Sequence, residues 1–141
     1  MVSIIIQQLV ITGALFGTFV LAGRYCGKWN YRKVRKGAWQ NLLPASVTSR
    51  YPPLLYFWSS ECAQCKPQEY HIEQAKKILS GRGKTLRVLK LNAVEELKLA
   101  KALQVVTVPT TIFIDSQGKI TAWNPGLTQA QTLVEQYRTI Q

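Results

Sequence analysis

From residue 54 onward, short apolar runs alternate with amphipathic stretches, and this pattern predicts the element order βαβαββα. Residues 54–58 are apolar without alternation, which is typical of a strand buried on both faces. The elements that follow are predicted as a helix from about Cys62 or Cys65 to Leu79, a strand over 86–92, a short helix over 95–103, a hairpin of strands 110–114 and 120–123, and a final helix over 129–140. This order predicts an α/β fold in which a parallel strand pair and an antiparallel hairpin carry helices on both faces.

Proline, glycine and threonine mark the ends of the predicted helices. Pro67 lies in the first turns of the first helix, so that helix either begins late or is locally distorted. The segment 80–83, Ser-Gly-Arg-Gly, ends the helix with glycine in the C-cap role. Thr128 is predicted to be the N-cap of the last helix.

The first 23 residues carry no ionisable side chain, and residues 4–22 are predominantly apolar. A helix of this length, at 1.5 Å per residue, is long enough to cross a hydrocarbon core of ~30 Å. A cleaved signal peptide is the main alternative. However, residues 1–3 include no Lys or Arg, and Gly23 is followed by Arg24 rather than by cysteine. We therefore expect one uncleaved N-terminal transmembrane helix.

Positive charge is concentrated directly after this apolar stretch. The chain has 18 basic and 7 acidic residues, a formal net charge of +11. A basic cluster within positions 24–36, which hold no acidic residue, consists of Arg24, Lys28, Arg32, Lys33, Arg35 and Lys36. The positive-inside rule places such a flank in the cytoplasm. The N-terminus should therefore face outward, and the rest of the chain should lie on the cytoplasmic side.

The surroundings of the basic cluster suit a membrane surface. Tyr25, Trp29, Tyr31 and Trp39 have the amphipathic rings that settle at the lipid–water interface. The cluster itself is expected to bind anionic headgroups at ~1 kcal/mol for each basic residue. Nucleic-acid binding is the alternative, but the adjacent apolar stretch favours lipid, so no nucleic-acid partner is predicted.

These patterns divide the chain into three predicted parts. Residues 1–23 form the transmembrane anchor, residues 24–53 the basic juxtamembrane segment and linker, and residues 54–141 the folded domain. Pro44, Pro52 and Pro53 favour an irregular linker, with one short helix near residues 38–43.

Two of the three cysteines, Cys62 and Cys65, lie where the first strand passes through a polar turn into the first helix. Unpaired N–H groups and the positive end of the macrodipole at a helix N-terminus stabilise a thiolate, the reactive form of cysteine. Cysteines at i and i+3 there can attack a disulfide and then close on each other. The alternative is half of a zinc site, but zinc needs four ligands and only Cys26 and His71 remain as candidates. No metal is predicted, and Cys26 is expected to be a spare thiol.

Residues 54–139 resemble the thioredoxin family. The matching motifs are Phe57-Trp58, Cys-x-x-Cys-Lys at 62–66, Lys90-Leu91-Asn92, and Val-Pro-Thr at 108–110. The resemblance implies a minimal thioredoxin-like βαβαββα sandwich, here preceded by the transmembrane helix. It also implies that Pro109 is cis and packs beside the cysteine pair.

The resemblance further implies roles for individual residues. Cys62 would be the nucleophile and Cys65 the resolving thiol, so the site needs no cofactor beyond its own disulfide. Trp58 would shield that disulfide, and the substrate groove would be formed with Val108, Pro109 and Gly126.

Other residues are expected to tune the redox chemistry. Ala63 and Gln64 replace the Gly-Pro of thioredoxin itself, and Glu61 beside Cys62 disfavours the thiolate. At position 56 the chain has tyrosine where thioredoxin has a buried aspartate as proton acceptor, while Lys90 matches the lysine near that aspartate. Proton transfer at Cys65 could then use water, Glu61 or Tyr56.

The combined interpretation is a membrane-anchored thiol–disulfide oxidoreductase that reduces protein disulfides in the cytoplasm. Its partners would be disulfide-bearing proteins and a dithiol or reductase electron donor. Two alternatives stay open: a redox-quiet thioredoxin-like binding module, and an oxidase or maturation factor that faces the exported side.

Overall fold

The structure, a computed structural model, describes residues 38–43 and 53–140, together with Gln7, Gly13, Gly17 and Thr18. The chain divides into two units, Met1–Lys36 and Gly37–Gln141. In the first unit the four described residues are helical. The rest of the predicted anchor and the whole basic cluster, with Cys26, Tyr25, Trp29 and Tyr31, lie outside the described residues.

No helix within the part of the chain that the structure describes is long and apolar enough to span a bilayer.

The second unit contains a mixed four-stranded sheet with strand order β2-β1-β3-β4. The strands are β1 (Pro53–Trp58), β2 (Arg87–Asn92), β3 (Thr110–Ile114) and β4 (Ile120–Pro125). β1 pairs in parallel with β2 and antiparallel with β3, and β3 pairs antiparallel with β4. The predicted parallel pair and antiparallel hairpin are therefore confirmed, with β1 and β3 as the inner strands.

Three α-helices connect and follow these strands: α1 (Cys65–Ser80), α2 (Leu97–Ala102) and α3 (Ala130–Arg138). α1 is the later-starting of the two predicted alternatives. Because α1 begins at Cys65, Pro67 falls in the first turn, where its missing N–H would have no partner within the helix. The predicted N-cap of α3 was wrong, since the N-cap is Gln129 and Thr128 is buried before the helix.

One face of the sheet packs against α1 and α3, which also contact each other. Alternate residues of a strand point to opposite faces, so Leu54 and Tyr56 of β1 share this face with Phe113 of β3. The helices contribute Ile72, Ala75, Leu79, Leu133, Val134 and Tyr137 to the same cluster. The amphipathic pattern of both helices is satisfied by this burial.

The other face is also buried, which agrees with the predicted helices on both faces. Leu55, Phe57 and Ile112 are fully buried there, opposite the first cluster. α2 contacts a short 3-10 helix over Ala38–Leu42, and buried residues of this pair include Trp39 and Leu99. We infer that the pair covers this second face.

The 3-10 helix corrects one prediction and supports another. The short helix expected near residues 38–43 is present as Ala38–Leu42. Trp39, however, was predicted to lie at the lipid–water interface, and only 1% of it is exposed. That prediction was wrong, because the indole is buried in the second unit, where burial of a large apolar ring is favourable.

Candidate active site

Cys62 and Cys65 form a disulfide at the start of α1, with their Cα atoms 5.4 Å apart. The turn between β1 and α1 is closed by the Cys62 N–H, which donates to the Ser59 carbonyl at 3.3 Å. The Cys65 N–H donates in turn to the Cys62 carbonyl at 3.2 Å. The local backbone therefore places the two sulfurs together, as the i, i+3 spacing predicted.

The two cysteines differ in exposure. Cys62 is partly exposed in the turn, whereas Cys65, the first residue of α1, is only 3% exposed. A disulfide in another protein can reach only the sulfur that solvent can reach. The arrangement therefore suits attack by Cys62 and a later reaction of Cys65 from within.

The electrostatic setting at the start of α1 contains opposing contributions. α1 has no acidic residue in its first turn, so the positive end of the macrodipole lies against the cysteines uncompensated within that turn. Glu61 is exposed beside Cys62 and acts in the opposite direction. Ala63 and Gln64 are exposed as well, and Gln64 is the N-cap residue without a side-chain capping bond.

Pro109 immediately precedes β3, whose first residue pairs with Phe57 near the end of β1 that leads to the cysteines. The Val108–Pro109 peptide bond is cis, as the resemblance implied. Pro109 is buried, and Val108 is partly exposed. The sheet register thus brings the Pro109 loop to the same end of the strands as the disulfide.

Gly126, the fourth groove residue predicted from the resemblance, is joined directly to the proline loop. Its N–H donates to the Pro109 carbonyl at 2.8 Å. Its φ angle of 86° lies in the left-handed region, which favours glycine. The structure therefore places Gly126 and Pro109 side by side, although they are far apart in sequence.

Trp58, Lys90 and Glu69 form a group beside the buried start of α1. The Lys90 Nζ lies 4.3 Å from the centre of a Trp58 ring and 2.7 Å from the Glu69 Oε1. Both partners of the ion pair are nearly half exposed, so its contribution to stability is small. Glu69 was not predicted, and its only signal in the sequence is its position one helical turn after Cys65.

Tyr56 lies beneath α1 with its hydroxyl directed at the cysteine segment. The hydroxyl donates to the Cys65 carbonyl oxygen at 2.9 Å, and the side chain is 1% exposed. Burial, with a smaller effect of the Glu69 charge, raises the pKa of Tyr56 to about 12. Tyr56 is therefore neutral near pH 7 and supports the helix start through its hydrogen bond.

Gln68 is a second residue that the sequence interpretation missed. It is completely buried on α1, and its side-chain amide bonds both backbone groups of Thr128. On a helical wheel, position 68 lies on the buried face, and a polar residue there was the one signal that could have identified it.

A cavity of about 290 Å³ lies beside the turn that carries Cys62. Its lining residues come from the ends of β1 and β2: Ser59, Ser60, Glu61, Asn92, Val94 and Glu95. Glu61, the residue before Cys62, belongs to this lining, whereas neither cysteine does.

Of the two further zinc ligands considered, Cys26 and His71, only His71 is among the described residues. His71 is partly exposed on α1, with its ring 5.8 Å from that of Tyr70. Among residues 38–43 and 53–140, no group of three or more His, Cys, Asp or Glu side chains is placed to hold a metal ion.

Several solved structures that are similar to this chain are thioredoxins. Chloroplastic thioredoxin z is 20% identical, with a TM-score of 0.58 over 72% of this chain and 88% of that chain. Fasciola hepatica thioredoxin is 18% identical, with a TM-score of 0.56 over 72% and 90%. Thioredoxin-2 of the malaria parasite is 21% identical, with a TM-score of 0.56 over 63% and 82%. At these identities the similarity shows the fold.

A comparison with curated proteins found no match. The family model for Thioredoxin matches residues 31–139, which is more than half of the chain. Together with the Cys62–Cys65 disulfide, this match shows a protein-disulfide oxidoreductase site. The chain therefore belongs to the thioredoxin family.

Proposed function

We propose that this protein reduces disulfides in other proteins, with Cys62 as the attacking thiol and Cys65 as the resolving thiol. The observation that carries the proposal is the disulfide at the start of α1, in which Cys62 is accessible and Cys65 is buried. The cis Pro109 loop and Gly126 lie at the same edge and supply backbone against which an extended substrate segment can align.

The reaction is a two-electron exchange in two steps. The Cys62 thiolate attacks one sulfur of the substrate disulfide, forming a mixed disulfide and releasing the first substrate thiolate, which takes up a proton. Cys65 then loses its proton and attacks the Cys62 sulfur, releasing the second substrate thiol and forming the Cys62–Cys65 disulfide. A donor dithiol reduces this disulfide and is itself oxidised.

The proposal predicts different behaviour for the two cysteine variants. In a Cys26→Ser background, Cys62→Ser should lower insulin reduction by at least about 100-fold, because the attacking sulfur is lost. Cys65→Ser should also stop turnover but should accumulate a mixed disulfide with the substrate, visible by non-reducing electrophoresis. The Cys26→Ser parent is the control and should remain active.

Two outcomes would contradict the proposal. If the parent protein shows no turnover with an added dithiol, the site is a binding module rather than a reductase. If the Cys62/Cys65 potential is as oxidising as about −120 mV, oxidation becomes the favoured direction.

We propose further that residues 1–23 anchor the protein in a membrane and that the thioredoxin-like domain faces the cytoplasm. The uncharged apolar stretch and the basic cluster directly after it support this topology. The basic cluster would bind anionic headgroups, so the membrane surface is a proposed partner beside disulfide-bearing proteins and their electron donor.

A further inference from the structure

We propose that Gln68 is a positioning residue for substrate binding: it fixes the 126–128 turn against the helix that carries the disulfide. The inference rests on the proposed reduction of protein disulfides and assigns this step to a residue outside the cysteine motif.

The Gln68 side chain makes two hydrogen bonds to one backbone residue across the fold. Its Nε2 donates to the Thr128 carbonyl at 3.1 Å, and its Oε1 accepts from the Thr128 N–H at 2.7 Å. Gln68 is 0% exposed and Thr128 is 7% exposed. A side-chain amide has a donor and an acceptor side by side, so it can satisfy both backbone groups at once.

The position of Gln68 connects this clamp to the disulfide. Gln68 is three residues after Cys65 in the same helix, so it lies within one helical turn of the buried sulfur. The Gln68 N–H donates to the Gln64 carbonyl at 3.1 Å, so Gln68 is in the same hydrogen-bonded turn as one of the two residues between the cysteines. The hydrogen bonds of Gln68 therefore fix the Thr128 backbone relative to the start of α1.

The other side of the clamp reaches the proline loop. Thr128 is two residues after Gly126, whose N–H bonds the Pro109 carbonyl at 2.8 Å. Leu127, between these two fixed points, is 46% exposed and can contact a bound segment. The hydrogen bonds thus join three segments, α1, the 126–128 turn and the Pro109 loop, which surround the place where a peptide would align.

A structural role alone would predict a different result from a positioning role. If Gln68 only stabilised the fold, its loss would lower the free energy of unfolding and leave substrate affinity unchanged. If it positions the turn, its loss should weaken binding of an extended protein substrate. It should leave attack on a small disulfide unchanged, because such a molecule needs the sulfur but not the groove.

The experiment compares Gln68→Leu with Gln136→Leu in the full-length protein. Gln136 is the matched control because its side chain also makes two amide hydrogen bonds, to Asn124 at 2.8 and 2.9 Å, but it joins α3 to β4. We expect Gln68→Leu to raise the KM for insulin by roughly tenfold, since small displacements of positioning groups have effects of this order or larger. The rate with oxidised glutathione and the Cys62/Cys65 potential should stay unchanged. Gln136→Leu should alter neither KM nor rate.

A second substitution keeps the test decisive if Gln68→Leu does not fold. Gln68→Met keeps an unbranched side chain of similar length but lacks the amide donor and acceptor that bond Thr128. It should also raise the insulin KM by roughly tenfold. The inference is overturned if the folded variant has a KM within about twofold of the parent. It is equally overturned if insulin and glutathione are affected alike, or if Gln136→Leu raises the KM as much. A parent protein that reduces no insulin would instead refute the proposed function.

Discussion

At the residue scale, the clearest departure from the family resemblance is the tyrosine at position 56. Thioredoxin has a carboxyl group there that accepts a proton, whereas the Tyr56 hydroxyl is a donor to the Cys65 carbonyl. Its raised pKa keeps it protonated near pH 7. A role as proton acceptor would need the ionised form, so the geometry favours support of the helix start. Of the three predicted routes for the Cys65 proton, water and Glu61 are left.

Tyr56→Phe should change how stability depends on pH. The pKa of Tyr56 is about 12 in the folded protein against 10.0 as its ordinary value. Between these pH values the unfolded chain releases the proton and the folded chain keeps it, so the parent loses stability as pH rises. The shift corresponds to about 2–3 kcal/mol over that window, and the phenylalanine variant should not show this loss.

Near pH 7 the Tyr56→Phe variant should instead be less stable than the parent by about 1 kcal/mol, because it lacks one buried hydrogen bond. Denaturant unfolding at a series of pH values measures both effects. Tyr70→Phe serves as the control, because that side chain is 63% exposed. Parallel stability curves for the parent and Tyr56→Phe would refute the interpretation.

The Cys62–Cys65 disulfide and the cis Pro109 bond were predictable from motifs, whereas contacts that only the fold creates were not. Cys62, Cys65 and Pro109 were found because their types and order are specific to the family. Gln68 was missed because an amide on a helix is usually exposed. Its hydrogen-bond partner, Thr128, lies 60 residues away in the sequence, so only the fold brings the two together.

At the element scale, the segment after α1 shows how two glycines in one turn differ. Gly81 is the C-cap residue with a φ of −60°, which any residue can adopt. Gly83 has a φ of 68°, in the left-handed region, and its N–H donates to the Ser80 carbonyl. The predicted glycine stop is therefore confirmed, and the conformation that requires glycine belongs to Gly83.

Alanine substitutions at the two positions should have opposite effects. Gly83→Ala should lower the free energy of unfolding by about 1–2 kcal/mol, because the left-handed conformation is costly for an L-residue even in open space. Gly81→Ala should raise it by about 0.4–1 kcal/mol through a less flexible unfolded chain. Its added Cβ would meet the Lys77 carbonyl oxygen at 3.6 Å, an ordinary contact.

If the m-values are equal, the denaturant midpoints of the two variants give both changes in the free energy of unfolding. Equal effects of the two substitutions would show that the φ difference does not control stability here.

At the scale of the whole molecule, element order was predictable and the extent of the folded unit was not. The period of apolar residues identified the four strands and the three helices that follow β1. The sequence assigned residues 24–53 to a juxtamembrane segment and linker, yet the 3-10 helix within that range contacts α2. A tryptophan next to a basic cluster has no local signal that distinguishes a core position from a lipid interface.

The proposed topology makes a prediction for the intact protein. The full chain should sediment with membranes and resist extraction by high salt, because an apolar helix rather than surface charge holds it. Replacing the six residues of the basic cluster by glutamine should weaken or invert the orientation. In sealed vesicles with the cytoplasmic face outward, added protease should digest the domain of the parent protein. Protection of that domain would place it on the opposite side.

The burial of Trp39 also determines where the protein can be shortened. A recombinant fragment that starts at Leu54 would lack the Trp39 indole. The apolar surface that the indole covers would then be exposed to water and to other chains. A fragment that starts at Gly37 would keep the Trp39 indole and therefore keep this surface buried. We therefore expect fragments that retain Trp39 to be more soluble than fragments that begin at Leu54.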